Sequence, residues 1–446
     1  MLVSIQSLGC PKNFVDSEVI SGCLLEKNYT LTNQLEGSDI AIINTCSFIQ
    51  PAVEESIDAI LQASKLKEEG KLKYIIVAGC LSQRYSKQNL EQSLPEVDAF
   101  IGVDEINQVD QVIDKLGKNK KIFQVHANPF FIYSEESPRF LMTPGHYAFL
   151  KIAEGCNNGC TYCLIPQIKG RYRSRSIESV IAEIQNLKNN YPIKEIILIA
   201  EDTTYYGVDL YGKPSLSNLL KELVRLHWDD DQKIRILYTH PAHYDDQLID
   251  IIAQNPLICP YLDIPLQHIS DQILKRMNRK INKKEIITLL DKLRNKIPGL
   301  TLRTTFIVGF PGETEHDFQE LYDFIGKFRF EKLGVFPFYN EPECTASKFS
   351  PKVATKTKKK RLDQLMKLQQ KVAYEYQSKL VGKQIRVLID EVSGKKKIVL
   401  LGRSCAEAPE IDGNISVLKG EPRDVGNWIK VMITRASPYH LEGEKV

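Results

Sequence analysis

The amino-acid sequence has no apolar run approaching the roughly 18 residues that a helix needs to span a bilayer, which excludes a membrane bundle. It also has little net charge, because 59 lysines and arginines nearly balance 56 aspartates and glutamates and leave a formal charge of +3. That balance does not favour nucleic acid as a partner of the whole chain. Internal repeats and low-complexity tracts are absent as well. With 43% hydrophobic and 26% charged residues, the composition excludes wholesale disorder and collagen-like repeats.

The N-terminal sequence, MLVSIQSLGCPKNF, lacks the charged start, long apolar stretch and small-residue cleavage site of a signal peptide. Ten cysteines are too few for a disulfide scaffold in a chain of 446 residues. We therefore expect a cytosolic protein with reduced thiols, each of them a buried hydrophobe, a catalytic group or a metal ligand. The length favours two to four domains.

Short apolar runs alternate with segments of helical period, a pattern typical of parallel α/β sheets. We predict an α/β domain at residues 1–118, a linker at 119–145 and a longer α/β domain at 146–375. The first domain has predicted strands at 2–8, 39–43 and 74–78 and predicted helices at 15–25 and 52–66. The second has predicted strands at 147–153, 195–200, 234–238, 261–264, 302–308 and 333–336. Six strand–helix units are fewer than a full barrel needs, so we predict a partial (β/α)6 TIM-like barrel.

The remaining residues predict a long helix and a small all-β domain. The helical pattern at 356–380 carries a basic run, interpreted as a solvated helix face with nucleic-acid contact as the alternative: Lys356, Lys358, Lys359, Lys360 and Arg361. The tail at 376–446 favours a small β-barrel, with predicted strands at 384–389, 397–401, 415–418 and 428–433. Its small basic surplus is weak for an RNA-binding barrel. Glu410 and Asp412 suit a very basic ribosomal protein better than a phosphate backbone.

Three cysteines stand close together in GCNNGCTYC, directly after a predicted strand; we name Cys156, Cys160 and Cys163 the loop trio. Three thiolates in a loop that also contains two glycines can hold one compact iron–sulfur cluster, and one iron of a four-iron core then keeps an open position. The alternatives are coincidence or a zinc site completed by the nearby His146. Zinc sites more often combine a close cysteine pair with a distant second pair, so the spacing favours the cluster.

Three other cysteines are distant in sequence but share a context; we name Cys10, Cys46 and Cys80 the sheet trio. Each closely follows a predicted strand of the first domain. Because the carboxyl ends of parallel strands lie on one edge of a sheet, we expect these thiols to converge in a second three-thiolate site. The alternative is three small residues packed at strand ends.

The last four cysteines lack such a context. Cys23 lies in a helical apolar pattern and is expected in the core. Cys259, Cys344 and Cys405 have no thiol partner within a short span, so we expect packing or partial exposure. The sequence thus divides the ten cysteines into two trios and four packing residues.

Together these segments resemble a known family. GCNNGCTYC, with Tyr162 before its last cysteine, is similar to the CxxxCxxC signature of radical S-adenosylmethionine enzymes. SLGCPKNFVDSE, INTCSFIQPAVEES and AGCLSQRY resemble the N-terminal domain of methylthiotransferases, and the tail resembles their TRAM domain. The resemblance covers essentially the whole chain.

Within that family, several segments are similar to the branch called RimO, which methylthiolates the β-carbon of an aspartate in small-subunit ribosomal protein S-twelve: SLGCPKN, KIAEGCNNGCTYCLIPQIKGRYRSR, EDTTYYGVDLYGK, LRTTFIVGFPGETEHDF and GRSCAEAPEIDG. The branch that modifies a tRNA adenosine tends to have Gln-Met in place of Pro11-Lys12, and Arg-Gly where this chain has Glu154-Gly155. Phe14, where leucine is common, and Cys405, where an aromatic residue is frequent, are small departures.

The resemblance implies a [4Fe–4S] cluster on each trio. The cluster on the loop trio would bind S-adenosylmethionine, which serves as methyl donor and as radical source, while the auxiliary cluster on the sheet trio would carry the transferred sulfur. The resemblance also implies an electron donor as partner besides the ribosomal protein. RNA contact is possible but not required, no membrane is involved, and a cytoplasmic monomer is expected.

Further site residues are expected at the carboxyl ends of barrel strands. Glu201 and Asp202 follow the second strand and are candidates for the cofactor's ammonium, with a helix cap as the alternative. Gln267 and His268 follow the fourth strand and are candidates for ribose or substrate contact, although a lone histidine is more often structural.

Other candidates rest on the resemblance. Tyr162 is expected near the cofactor, and VGFPGE resembles a loop that contacts adenine in radical enzymes, through Gly309, Gly312 and Glu313. As a bare motif this loop is weak, because Gly-Pro-Gly turns are common. Alternating arginines after the loop trio are candidates for the cofactor carboxylate or an acidic substrate, with a solvated basic edge as the alternative: Arg171, Arg173 and Arg175.

Two other functions stay open at this point. One keeps the chemistry and changes the substrate to a tRNA adenosine. The other is a non-enzymatic RNA- or ribosome-binding module that zinc holds together, which would be colourless and free of acid-labile sulfide.

Overall fold

The computed structural model describes residues 1–118, 121–394 and 398–446. Its strands are β1 (Leu2–Ser7), β2 (Thr30–Thr32), β3 (Ile40–Thr45), β4 (Tyr74–Gly79), β5 (Ala99–Ile101), β6 (Ile122–Gln124), β7 (Tyr147–Lys151), β8 (Ala153–Glu154), β9 (Arg173–Ser174), β10 (Glu195–Ile199), β11 (Lys233–Ile236), β12 (Ile258–Asp263), β13 (Thr301–Val308), β14 (Lys332–Pro337), β15 (Gln384–Ser393), β16 (Val399–Arg403), β17 (Ile415–Leu418), β18 (Trp428–Ala436) and β19 (Leu441–Lys445). Its helices are α1 (Pro11–Glu26), α2 (Gln50–Glu68), α3 (Cys80–Arg84), α4 (Lys87–Ser93), α5 (Val109–Ile113), α6 (Ile165–Ile168), α7 (Ile177–Asn190), α8 (Val208–Tyr211), α9 (Leu216–Val224), α10 (Asp246–Gln254), α11 (Asp271–Arg276), α12 (Lys283–Lys296), α13 (Glu315–Phe328) and α14 (Thr355–Ser378). Among these helices, none has the length and apolarity to cross a bilayer.

The first sheet is parallel throughout, with the strand order β2-β1-β3-β4-β5-β6. The three strands predicted in this region are confirmed as β1, β3 and β4, which lie side by side. β3 and β4 are almost wholly buried, so their sequences are nearly continuous apolar runs. The three-residue strands β2, β5 and β6 are too short to show a pattern. β6 falls within the segment interpreted as a linker, so the sheet extends past residue 118, while Asn119 and Lys120 lie outside the described residues.

The second sheet has the order β14-β13-β12-β11-β10-β7 and is also parallel throughout. All six predicted strands are present and the sheet is not closed, which confirms the partial barrel. The helices between strands begin at clear caps, such as the capping box of Asn282 and Glu285 at α12 and that of Thr314 and Asp317 at α13. Each capped N-terminus follows a strand, and so the loops before the helices lie at the strands' carboxyl ends, where parallel barrels bind ligands.

The tail forms a closed barrel in the order β15-β16-β17-β19-β18, as the sequence predicts. The predicted strand at 397–401 corresponds to β16, which begins at Val399 and ends at Arg403. Lys397, the first residue of the predicted strand, lies outside the described residues. The end of β16 and the loop after it contact the amino ends of the second sheet's strands: Arg403 pairs with Glu195, and the Cys405 carbonyl accepts from Arg235 at 2.9 Å. Asp412 accepts a hydrogen bond from the Tyr261 hydroxyl at 2.7 Å. The interpretation of Asp412 as a docking group for a basic protein is therefore wrong, because its carboxylate is used inside the chain.

The basic run at the start of α14 divides into two kinds of residue. Lys356, Lys359 and Lys360 are exposed, as expected of a solvated face. Lys358 instead donates to the carbonyl of Phe338 at 2.7 Å. Arg361 is buried and pairs with the Glu313 carboxylate at 2.8 Å, so part of the run joins α14 to the second sheet.

Candidate active site

The sheet trio converges at the carboxyl edge of the first sheet. Its cysteines follow β1, β3 and β4, which are neighbours in that sheet. Gly9, with a φ of +89°, lies so close to Cys46 that a Cβ at Gly9 would stand 2.5 Å from the Cys46 Cβ. Cys80 donates to the Asn13 side chain at 3.7 Å, and Asn13 in turn donates to the carbonyl of Thr45 at 2.8 Å. The parallel topology thus brings together three thiols that the sequence separates.

Burial and the repulsion of neighbouring thiolates favour the protonated form of the Cys46 and Cys80 thiols. Burial, and after it the neighbouring Cys10, raise the pKa of Cys46 to about 11. Burial also raises the pKa of Cys80, where the Lys169 ammonium opposes the shift. A thiolate forms in such a place only when positive charge compensates it, as a bound metal does. Lys12 and Lys169 supply part of that charge from the protein.

The loop trio is held by backbone geometry and by hydrogen bonds to sulfur. Gly155 has a φ of +75°, and a Cβ there would stand 2.2 Å from the carbonyl oxygen of Arg171, so no other residue fits. Each sulfur accepts from at least one N–H group. The Asn158 N–H donates to Cys156 at 3.5 Å, the Ile165 N–H to Cys163 at 3.4 Å, and the Arg279 guanidinium to Cys160 at 3.7 Å. Such N–H···S bonds stabilise thiolate ligands and tune the potential of a cluster.

The spacing of the thiols fits a cluster better than a single ion. Zinc binds cysteine sulfur at about 2.3 Å, which requires all ligand atoms to lie around one centre. Among the residues that the structure describes, Asp202, His240 and His243 bring their ligand atoms within 4.8 Å of one another, but neither trio does. His146 is hydrogen-bonded through Nε2 to Asp390 of the tail at 2.8 Å, and among the described residues its ligand atoms are not grouped with those of the loop trio. The donor set of each trio therefore fits a four-iron core.

A buried ion pair joins the two trios. The Lys12 ammonium lies 3.3 Å from the Glu201 carboxylate, and both side chains are 8% exposed. Lys12 acts electrostatically on Cys10 and Cys46, whereas Glu201 acts on Cys156 and on Cys163. The pair thus stands between the carboxyl edge of the first sheet and the loop trio of the second domain.

A second ionic group fixes the seam between the domains. Lys169 lies 3.2 Å from Asp16 of α1 and 3.6 Å from Glu154, and Lys151 pairs with the same two carboxylates. Asp16 also accepts a hydrogen bond from the Tyr133 hydroxyl at 2.5 Å. All four charged groups are almost fully buried, so removing one of them would leave an uncompensated charge in the interior.

Three family models match the chain in an order that follows the fold. An uncharacterized protein family, UPF0004, matches residues 2–102. The Radical SAM superfamily matches residues 150–325, and the TRAM domain matches residues 381–446.

Curated relatives match over the full length. The "Ribosomal protein uS12 methylthiotransferase RimO" of Desulforamulus reducens is 44% identical over 99% of both chains. The protein of the same name from Clostridioides difficile is 42% identical over 99% of this chain and 98% of its own. The chain belongs to the RimO family of methylthiotransferases. It is a radical S-adenosylmethionine enzyme, and this superfamily uses a [4Fe–4S] cluster and S-adenosylmethionine as cofactors.

The fold of this RimO-family enzyme also occurs in solved structures with little sequence identity. The radical S-adenosylmethionine methyltransferase TsrM of Kitasatospora setae aligns with a TM-score of 0.56 at 13% identity, covering 77% of this chain and 73% of that one. OxsB, a cobalamin-dependent radical enzyme, aligns with a TM-score of 0.51 at 15% identity, covering 82% and 56%. These similarities concern the fold alone.

The two acidic residues after β10 have different surroundings in the methylthiotransferase. Asp202 accepts hydrogen bonds from Asn158 at 2.7 Å and from His243 at 2.8 Å, and it caps the 3-10 turn that follows. Burial alone would raise the pKa of Asp202, but His243 lowers it to about 2. The helix-cap alternative thus describes Asp202. Glu201 instead pairs with Lys12 and leaves its buried Oε1 without a hydrogen-bond partner, so Glu201 is the acid with free capacity.

Gln267 and Tyr162 line a cavity at the loop trio. The cavity has a volume of about 230 Å³, and its wall also includes Phe48 and Ile49, which follow Cys46 of the sheet trio. Gln267 has a φ of +71° and a buried side-chain oxygen without a partner, which is the kind of group that a ligand satisfies. Its neighbour His268 is fully buried, accepts from the Ser270 N–H at 3.0 Å, and has a pKa that burial lowers to about 3.

The VGFPGE loop is supported from behind by its own glutamate. Glu313 accepts from the N–H groups of Gly309 at 2.5 Å and Phe310 at 3.1 Å. Burial raises the pKa of Glu313 to about 7 although Arg361 opposes the shift. A Cβ at Gly309 would meet the Lys358 side chain at 2.3 Å, and one at Gly312 would meet that of Arg276 at 2.9 Å. In this structure, the two glycines therefore lie against these cations, and their adenine contact stays a prediction.

The alternating arginines are mostly occupied by structural contacts. Arg173 donates to the carbonyls of Phe131 and Lys169, and Arg175 is buried against Glu183. Arg171 is exposed. Of the three, Arg171 alone keeps a guanidinium that faces solvent.

Sequence reasoning missed three cations of this site. For Lys12 the sequence did hold a signal. This residue stands two positions after Cys10, in a segment where the resemblance distinguishes the two branches. Lys169 and Arg279 carry no such signal. Their approach to Cys80 and Cys160 depends on how the two domains meet and on where α11 ends.

Proposed function

We propose that the enzyme transfers a methylthio group to the β-carbon of an aspartate in small-subunit ribosomal protein uS12. The full-length similarity to relatives named for that activity supports the substrate. The observation that carries the proposal is the arrangement of two three-thiolate sites joined by one buried ion pair, Lys12 and Glu201. One site alone would serve radical chemistry, whereas a sulfur transfer also needs a place to hold the sulfur.

In this proposal the loop trio and the sheet trio each hold a [4Fe–4S] cluster. The bound cofactors supply a methyl group, a transferable sulfur and a carbon-centred radical. The protein's residues orient and shield these groups. Glu201 is suited to accept from the ammonium of S-adenosylmethionine, because its Oε1 is buried and unpartnered. Tyr162 and Gln267 line the cavity in which the rest of that cofactor would lie, and the apolar side chains of its wall exclude water.

The proposed partners follow from this reaction. The enzyme needs an electron donor, and it meets uS12 either free or in the ribosomal subunit, which places it in the cytoplasm. We expect a monomer and no obligatory RNA contact, since the exposed lysines of α14 make only a short basic patch.

The substrate is tested by mass spectrometry of ribosomal proteins and by analysis of tRNA nucleosides from cells that lack the gene. We expect uS12 to lose the mass of one methylthio group while the tRNA nucleosides stay unchanged. An unchanged uS12 together with the loss of a methylthioadenosine would refute the proposal and favour the tRNA substrate.

The two clusters are tested by anaerobic purification. We expect a brown protein with about eight irons and a similar amount of acid-labile sulfide per chain. A colourless protein that contains zinc and no sulfide would support the non-enzymatic alternative, a metal-stapled binding module.

A further inference from the structure

Lys12 is a buried cation at the meeting point of both sites. It lies in the first turn of α1, two residues after Cys10. Its ammonium is 3.3 Å from Glu201, which follows β10, and 3.8 Å from the ring centroid of Tyr238, which follows β11. Tyr238 has a φ of +60°, an unfavourable conformation for a bulky residue that is maintained where its ring covers the ammonium. The ammonium of Lys12 is therefore held between the Glu201 carboxylate and the Tyr238 ring.

The ammonium has donors to spare. A lysine offers three N–H donors, and Lys12 has a single carboxylate partner among the described residues. The Glu201 carboxylate, 3.3 Å away, compensates the charge of the buried ammonium. A buried ammonium with spare donors is suited to receive an anionic ligand.

The other buried cations near the trios are engaged by protein groups, although Arg279 keeps its buried Nε without a partner. Lys169 and Lys151 share the carboxylates of Asp16 and Glu154. Arg279 donates to Cys160 and to the carbonyl of Pro265 at 2.5 Å. In the part of the chain that the structure describes, Lys12 thus combines burial, a position between the trios and unused donors.

The positive charge of Lys12 distinguishes the two possible substrates, which differ in charge at the modified group. An aspartate side chain carries a negative charge next to the carbon that is modified, whereas an adenine base is neutral. A cation at this position therefore favours the acidic substrate by a charge-assisted hydrogen bond.

We propose that Lys12 receives the side-chain carboxylate of the target aspartate and so determines the choice of an acidic amino acid as substrate. This inference rests on the proposed function. When Glu201 binds the ammonium of S-adenosylmethionine, its hold on Lys12 weakens, and the donors of Lys12 turn to the incoming carboxylate. Lys12 is then a specificity residue that positions the β-carbon.

The test compares a peptide that carries the target aspartate of uS12 with the same peptide carrying asparagine. Binding of both to the holoenzyme is measured in the presence of S-adenosylmethionine. We expect the wild-type enzyme to prefer the aspartate peptide by about 10- to 100-fold, and Lys12→Met and Lys12→Gln to abolish that preference. Lys87→Met, at an exposed lysine in the first turn of α4, is the matched control and should leave the preference unchanged.

Three results would overturn the inference. The first is a Lys12→Met enzyme that keeps the preference for aspartate over asparagine. The second is the loss of iron from both Lys12 variants but not from Lys87→Met, which would make Lys12 a structural support of the sheet trio. The third is a wild-type enzyme that leaves the peptide and whole uS12 unmodified, which would refute the proposed function itself and is recognised without any variant.

Discussion

The two cysteine trios offer the same three ligands by opposite routes. The loop trio comes from residues 156–163 and depends on local geometry, such as the positive φ of Gly155 and the N–H groups that face its sulfurs. The sheet trio comes from residues 10, 46 and 80 and exists only when β1, β3 and β4 are paired in register. A local loop can present its ligands with little of the domain folded, whereas the sheet trio requires the whole sheet.

Their electrostatic surroundings differ as well. The sheet trio has two buried ammoniums nearby, Lys12 and Lys169. The loop trio lies near the carboxylates of Glu201 and Asp202 and has the guanidinium of Arg279 on one sulfur. Since the net charge around a cluster sets its potential, the two sites are suited to different tasks although their ligands are alike.

The largest expected effect is that of Cys160→Ala in the loop trio. Removal of this thiolate leaves two ligands for four irons, so we expect loss of about four irons per chain and of all S-adenosylmethionine cleavage. Methylthiolation should cease with it. Iron analysis and detection of 5′-deoxyadenosine measure both effects. Detectable cleavage in this variant would show that the loop trio does not hold the radical-generating cluster.

Cys46→Ala in the sheet trio should separate the two functions. We expect it also to lose about four irons, but to retain cleavage of S-adenosylmethionine because the loop trio is intact. Transfer of the methylthio group to uS12 should stop. Full methylthiolation by Cys46→Ala would contradict the assignment of the sulfur-carrying site to the sheet trio.

The same contrast between local and non-local geometry explains what the sequence could predict. The loop trio was visible from spacing alone, and the six strands of the second sheet from their apolar runs. Convergence of the sheet trio needed one further argument, the common edge of parallel strands. Tertiary contacts such as Lys169 with Asp16, or the cap that Asp202 forms, depend on how two domains and distant loops meet. No local pattern encodes these contacts.

The polar strand β19 and the three-residue strands were missed because they have no apolar period.

Gly9→Ala tests the dependence of the sheet trio on close backbone approach. The new methyl group would stand 2.5 Å from the Cys46 Cβ and 3.0 Å from its sulfur, so Cys46 must move. Strain from the positive φ adds about 1–2 kcal/mol. We expect the iron content to fall from about eight towards about four per chain while cleavage of S-adenosylmethionine persists.

Gly145→Ala is the matched control for that variant. Its φ of +87° equals that of Gly9 within two degrees, but a Cβ there meets nothing within 4 Å. It carries the strain without the clash, so its iron content should stay at the wild-type level. Equal iron loss in both variants would show that backbone strain, and not displacement of Cys46, disturbs the sheet trio.

The smallest expected effect concerns a cysteine outside both trios. The sequence gives Cys259 and Cys405 no nearby thiol partner, but in the structure the two thiols are neighbours next to the Arg235–Glu195 ion pair, where the Cys259 thiol also donates to Glu195 at 3.7 Å. The bond from Cys259 lowers the pKa of Cys405 to about 7, against the effect of burial. Cys405 therefore becomes increasingly ionised as the pH rises through 7, and in the holoenzyme it should react with iodoacetamide before the buried Cys344 does.

Cys259→Ala removes the donor to Cys405 and should slow the reaction of Cys405 at pH 7 by about 5- to 10-fold. The thiolate fraction of Cys405 falls, but the higher nucleophilicity of the remaining thiolate partly offsets that loss. Cys344→Ala should leave the rate unchanged. Equal rates at Cys405 and Cys344 in the wild-type enzyme would show that this thiol pair is no more than packing.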